Sequence, residues 1–253
     1  MRQLLMLPLL MPLLWGAPAA AATDCVSPPE LIDSGPLPGV AAGITSGTLR
    51  VLAVGSASIL GLGTSSPAAA WPVRLEAELL ARLPGKAVTV AVMGGRGLTA
   101  TDQLALIRDA IRQVQPNVVI WQAAATEAMR GFEVAELADA LARGLTRLKA
   151  RPFLDAVLVD LQFSRFLRAN ADIEPYRETL RVASAAHGAP LFRRYDLMQS
   201  WADAGSVDVE RASRATRTQE VDRLNACLAQ AFASFLLDGA RDAGAIIEGA
   251  SPP

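Results

Sequence analysis

From residue 48 onward the chain alternates between short apolar runs and longer stretches with helical periodicity. Leu49–Val54 is apolar and rich in β-branched residues, as a buried strand requires, and it stops at Gly55. Trp71–Leu83 is amphipathic, with Pro72 in its first turn and Pro84-Gly85 ending it, which predicts a helix. Ala87–Val92 predicts a second strand. Asp102–Val114 places Leu104, Ile107, Ile111 and Val114 on one helical face. Asn117–Gln122, introduced by Pro116, predicts a third strand, and Glu133–Lys149 a helix with Leu137, Leu141, Leu145 and Leu148 at helical spacing. A fourth strand follows at Ala156–Leu161, a helix at Pro175–His187 closed by Gly188, and a short fifth strand at Pro190–Phe192. Leu197–Ala204 and about Thr218–Ala243 complete the pattern as helices.

Short apolar strands separated by helices imply a parallel sheet covered on both faces. The expected fold is α/β: a three-layer α/β/α sandwich with a doubly wound, flavodoxin-like parallel sheet of about five strands. In such folds ligands bind beyond the carboxyl ends of the strands. The candidate loops are therefore Gly55–Ser66, Met93–Thr101, Ala123–Gly131 and Gln162–Glu174, with the segment before the last helix. Residues 48–243 show no internal linker and no repeat, so 48–253 reads as one domain. Residues 23–47, rich in Pro, Gly, Ser and Thr, predict an extended N-terminal arm.

Composition adds the compartment. Met1-Arg2, the leucine-rich run Leu4–Trp15 and the small residues Ala19–Ala22 have the form of a signal peptide over residues 1–22, cleaved after Ala22. Pro8 and Pro12 in a short apolar run argue against a retained membrane anchor. The expected location is periplasmic or secreted, without stable membrane insertion. In an exported chain the even pair Cys25 and Cys227 points to a disulfide between the N-terminus and the last helix. A net charge of −1 gives no electrostatic case for nucleic acid. One histidine and two distant cysteines make no metal-ligand set, and no cofactor motif is complete.

The run Val51–Gly63, Val-Leu-Ala-Val-Gly-Ser-Ala-Ser-Ile-Leu-Gly-Leu-Gly, delivers a tight turn at the carboxyl edge of the first strand. It resembles the first block of the SGNH (GDSL-type) hydrolases. Flanking segments extend the resemblance over nearly the whole chain beyond residue 22: Cys25-Val-Ser-Pro-Pro, Gly61-Leu-Gly-Thr-Ser-Ser-Pro, Trp71-Pro-Val-Arg-Leu-Glu, Val119-Ile-Trp-Gln, Pro190-Leu-Phe-Arg-Arg-Tyr and Cys227-Leu-Ala. They look closest to an exported proteobacterial group of that family.

The resemblance implies an ester hydrolase, yet most of its functional positions are substituted. Ala57 stands where the nucleophilic serine belongs. Gly94 matches the oxyanion-hole glycine. Ala124-Ala125-Thr126-Glu127 matches the Gly-x-Asn-Asp block, so Thr126 replaces the oxyanion asparagine. Thr216 and Gln219 match the aspartate and histidine of the last block. The single histidine, His187, ends a helix at the amino edge of the sheet, where it suits the helix dipole better than general-base work. The expectation is an exported, catalytically inactive binding or accessory protein whose partner is a glycan, an acylated ligand or a periplasmic protein. The alternative is a repurposed esterase or deacetylase. It would use Ser56 or Ser58 as nucleophile, Glu127 or Asp160 as base and Gly94 in the oxyanion hole.

Overall fold

The computed structural model describes residues 25–249. Five strands, β1 (Thr48–Gly55), β2 (Ala87–Gly94), β3 (Val118–Gln122), β4 (Asp155–Val159) and β5 (Leu191–Phe192), form one sheet in the order β2-β1-β3-β4-β5. Every neighbouring pair is parallel. This is the flavodoxin-like order, with its switch point between β1 and β3.

Period-2 alternation divides the strand residues between two cores. Leu49, Val51, Ala53, Ile120, Val159 and Phe192 face the first core. There they meet α2 (Pro38–Thr45), α3 (Trp71–Arg82), α9 (Arg194–Asp203) and α10 (Arg217–Gly249). Leu52, Val54, Val119, Trp121 and Leu158 face α4 (Ala100–Val114), α6 (Val134–Lys149) and α8 (Glu174–His187). The first core is centred on Phe232, stacked between Trp71 and Phe192 with ring centroids 4.5 and 3.7 Å away. In the second, the buried indole of Trp121 donates to Gln103 Oε1 at 2.8 Å. Among the described residues no helix is long and apolar enough to cross a membrane. The expected signal peptide lies outside the described residues.

The extended arm expected over 23–47 is instead helical in two places: α1 (Pro29–Ile32) and α2. Pro38 sits at the helix start, where its missing N–H costs nothing. Gly39 and Gly43, four residues apart, let the helix press against the amino edge of the sheet. A Cβ at Gly39 would fall 2.5 Å from the Asn117 carbonyl oxygen, and one at Gly43 2.7 Å from Asn117 Cγ. These glycines serve close packing, not an extended chain. Two short helices, α5 (Ala125–Arg130) and α7 (Arg165–Asn170), occupy segments expected as loops, and α9 starts three residues before the expected Leu197.

Asp155 ties α2 to the sheet by accepting the Val40 N–H at 2.8 Å. Burial pushes its carboxyl up from 3.8 to about 6, only partly offset by the Val40 and Gly39 amides. The folded protein therefore binds this proton at higher pH than the unfolded chain does. The resulting stabilisation is full below about pH 4 and is lost as pH rises through 6. Asp155→Asn does not titrate. Its stability relative to the natural protein should improve by roughly 3 kcal/mol between pH 4 and pH 7, at 1.36 kcal/mol per pKa unit. Urea unfolding at both pH values measures this; an unchanged difference would refute the assignment.

Candidate functional site

β1 carries the chain to the carboxyl edge and ends at Gly55, paired in register with Gly94 at the end of β2. Ser56 is extended, and Ala57–Leu60 form one turn of 3₁₀ helix. Gly94 permits this turn: a Cβ there would lie 2.6 Å from Ile59 Cγ2 and 2.7 Å from the Gly55 carbonyl oxygen. Ala57 then lines a cavity of about 250 Å³ together with Ser56, Ser58, Gln122, Leu161 and Arg194. A second cavity of about 240 Å³ shares Ser58, Leu62, Gln162 and Arg194 with the first, and continues between Phe163, Met198 and the α10 residues Leu224 and Leu228.

The two serines flanking Ala57 are held by donors. Gln122, the last residue of β3, donates Nε2 to Ser58 Oγ at 2.7 Å and to Ser56 Oγ at 3.4 Å. Arg194 Nη1 donates to Ser58 Oγ at 3.4 Å. Arg194 is only 4% exposed, and its Nε has no partner among the described residues. Burial pushes the guanidinium down to about 10, with the Asp160 charge opposing that shift. Sequence reasoning missed both Gln122 and Arg194. The available signal was their position, Gln122 as the last residue of β3 and Arg194 two residues beyond β5.

The expected carboxylate bases are engaged elsewhere. Glu127, buried on α5, accepts the Ala100 N–H at the start of α4 at 2.5 Å through one oxygen, while its Oε2 has no partner among the described residues. Burial raises its carboxyl above the usual range. Asp160, just beyond β4, accepts the Leu161 N–H at 2.7 Å and two arms of Arg177, Nε at 3.1 Å and Nη2 at 2.8 Å. Arg177 also pairs with Asp196 at 2.8 Å and lies 3.8 Å from the centre of the Tyr195 ring. Neither Glu127, Asp160 nor Gly94 lines the cavities beside Ser56 and Ser58.

The remaining positions are dispersed. Thr126 is buried, and its hydroxyl has no partner among the described residues. Ala124, the N-cap of α5, has a φ of 70°, a left-handed backbone that favours glycine. Thr216 and Gln219 are exposed, and the Thr216 hydroxyl bonds that of Ser213 at 2.9 Å. His187 ends α8 at the opposite edge of the sheet, where its carbonyl accepts from Lys149 Nζ at 3.3 Å. Cys25 and Cys227 form a disulfide with Cα atoms 5.5 Å apart. Of the aromatic residues near the fourth loop, Phe163 lines the second cavity, whereas the Tyr176 hydroxyl is spent on the Phe132 carbonyl at 2.7 Å. Among the described residues no cluster of three or more His, Cys, Asp or Glu side chains is placed to hold a metal ion.

A doubly wound sheet of this order, with a tight turn after β1 facing a cleft at its carboxyl edge, defines an esterase- or lipase-like SGNH hydrolase fold. The chain belongs to the non-GDSL lipase-like family, whose model matches residues 24–242. Solved structures share the architecture. Axe2, an acetylxylan esterase from Geobacillus stearothermophilus, is 14% identical with a TM-score of 0.55, covering 74% of this chain and 94% of its own. The lipase/acylhydrolase from Enterococcus faecalis is 17% identical with a TM-score of 0.54, covering 72% and 94%. TesA is 18% identical with a TM-score of 0.53, covering 68% and 94%. At these identities the likeness is one of fold. No curated protein matches the chain.

Proposed function

We propose that this chain is an exported, non-catalytic binding or accessory protein that uses the cleft of an ester-hydrolase fold to hold a ligand. The candidate occupants are a glycan, an acylated molecule or a protein partner in the periplasm. The observation carrying this reading is the chemistry around Ala57. The nucleophile position holds a methyl group, the hydroxyls on either side both accept from the Gln122 amide, and that of Ser58 also accepts from the Arg194 guanidinium. A serine becomes nucleophilic when a base accepts its proton. Gln122 Nε2 and Arg194 are donors, and a guanidinium has no lone pair to offer. The esterase alternative needs Glu127 or Asp160 at that place, whereas neither lines the cavities beside Ser56 and Ser58, and Asp160 is engaged by the guanidinium of Arg177. The Cys25–Cys227 disulfide supports export, since such bonds persist in oxidising compartments.

Hydrolysis of 4-nitrophenyl acetate by the purified protein, beside its Ser56→Ala/Ser58→Ala double variant, tests the proposal. Equal rates at the uncatalysed background are expected. Turnover at least ten-fold above background that disappears in the double variant would establish a rewired nucleophile and overturn it.

A further inference from the structure

Arg194 sits at the junction of the two cavities, 4% exposed, and the described chain offers it little in return. Its Nη1 makes one long bond to a neutral hydroxyl, its Nε makes none, and it forms no ion pair among the described residues. Asp160, whose field it feels, is committed to Arg177. Arg194 is also the first residue of α9, so its backbone lies at the positive end of the helix dipole. A buried cation in this setting is expensive unless an anion completes it. The neighbouring groups fit that anion. Ser58 Oγ accepts from both Gln122 and Arg194, which leaves its own O–H free to donate.

The geometry points to a binding site for a small carboxylate carried on an apolar chain, with the carboxylate against Arg194 and Ser58 and the chain in the flanking cavities. This assignment rests on the reading of the cleft as a binding site and adds the class of ligand. A single guanidinium is neutralised by a monoanion; a phosphate dianion would leave one buried negative charge unpaired. Leu62, Leu161 and Leu167 on one side, and Phe163, Leu224 and Leu228 on the other, suit methylene groups.

Calorimetric titration of the purified protein with sodium octanoate, octanol and octyl phosphate tests the assignment. Octanoate should bind at least ten-fold more tightly than either of the others. Shortening it to hexanoate should weaken binding by about four-fold per methylene removed. Arg194→Met should erase the preference for octanoate over octanol while leaving the thermal midpoint unchanged or raised, because the variant removes an unpaired buried charge. A merely structural arginine would instead lose midpoint on substitution. Ser58→Ala retains the guanidinium and should weaken octanoate by about ten-fold, so it carries the test should Arg194→Met not fold. Octanol binding as tightly as octanoate, or octanoate binding unaltered in Arg194→Met, would overturn the carboxylate assignment. So would the absence of binding by every probe, and if 4-nitrophenyl octanoate is also not hydrolysed the wider binding reading survives that failure. Ser58-dependent hydrolysis of 4-nitrophenyl octanoate would overturn both.

Discussion

Arg177→Met should destabilise the protein by about 3–5 kcal/mol, a fall in thermal midpoint of roughly 6–20 °C for a chain of this size. Arg177 has only 8% of its side chain exposed and joins Asp160, itself 3% exposed, to Asp196. Burial acts to lower the guanidinium pKa, but the bonds and charges of Asp160 and Asp196 outweigh it and hold the group well above its ordinary range. Methionine fills similar volume and brings no charge, so the variant leaves the Asp160 carboxylate buried with one backbone amide as its remaining donor. The cost is that of an uncompensated buried anion. For this reason the Arg177→Met/Asp160→Asn double variant should recover part of the loss, whereas independent side chains would add. Urea unfolding of the two single variants and the double variant measures the coupling. A loss below about 1 kcal/mol in Arg177→Met, or strict additivity, would show that the triad is not a unit.

The same triad positions the cleft. Arg177 rests on the ring of Tyr195 and pairs with Asp196, both in the first turn of α9, immediately after Arg194. Two contacts thus hold the start of the helix that presents the buried guanidinium. Asp160 is one residue from Leu161, which lines the first cavity, yet its carboxylate is turned to Arg177. A carboxylate at the end of a strand is a natural candidate for a base when the sequence is all that is known. Its partner lies 17 residues away on α8, and no local pattern announces the pair.

The strands were legible because each is a short apolar run with clear punctuation, and their observed limits agree with the pattern to within about two residues. Burial on both faces imposes that composition whatever the function. The two glycines of α2 were misread because the same residue serves loose chain and close contact, and only the sheet edge beneath them decides which. The turn after β1 was legible from the small residues and glycines that follow the strand, and Ala57 lies at its start. Arg194 was not. Arginine is an ordinary surface residue in sequence, whereas Arg194 is buried at the first position of α9, which begins at residue 194 instead of 197. Gln122 was hidden likewise as the last residue of an apolar strand, where nothing separates a capping polar residue from one aimed between two hydroxyls.

Removing the Cys25–Cys227 bond should cost about 2–5 kcal/mol, or roughly 4–20 °C in thermal midpoint. The bridge joins positions 202 residues apart, so it restricts the unfolded chain over most of its length. Its native anchorage is firm. Cys227 is fully buried in α10, beside the core that holds Phe232, and the segment after Cys25 is fastened where Trp201 Nε1 donates to the Val26 carbonyl at 3.0 Å. Cys25→Ala/Cys227→Ala is the suitable variant, because serine would bury a hydroxyl at position 227. Dithiothreitol should lower the midpoint of the natural protein and leave that of the double variant alone; an unchanged midpoint in the natural protein would refute a stabilising disulfide. Because the bond acts largely on the unfolded state, octanoate affinity measured well below either midpoint should agree between the two proteins within about two-fold. That holds although α10 supplies Leu224 and Leu228 to the second cavity. A larger loss of affinity would mean that the bridge also sets the position of α10 in the folded protein. Its oxidation state would then govern the cleft as well as the stability of the fold.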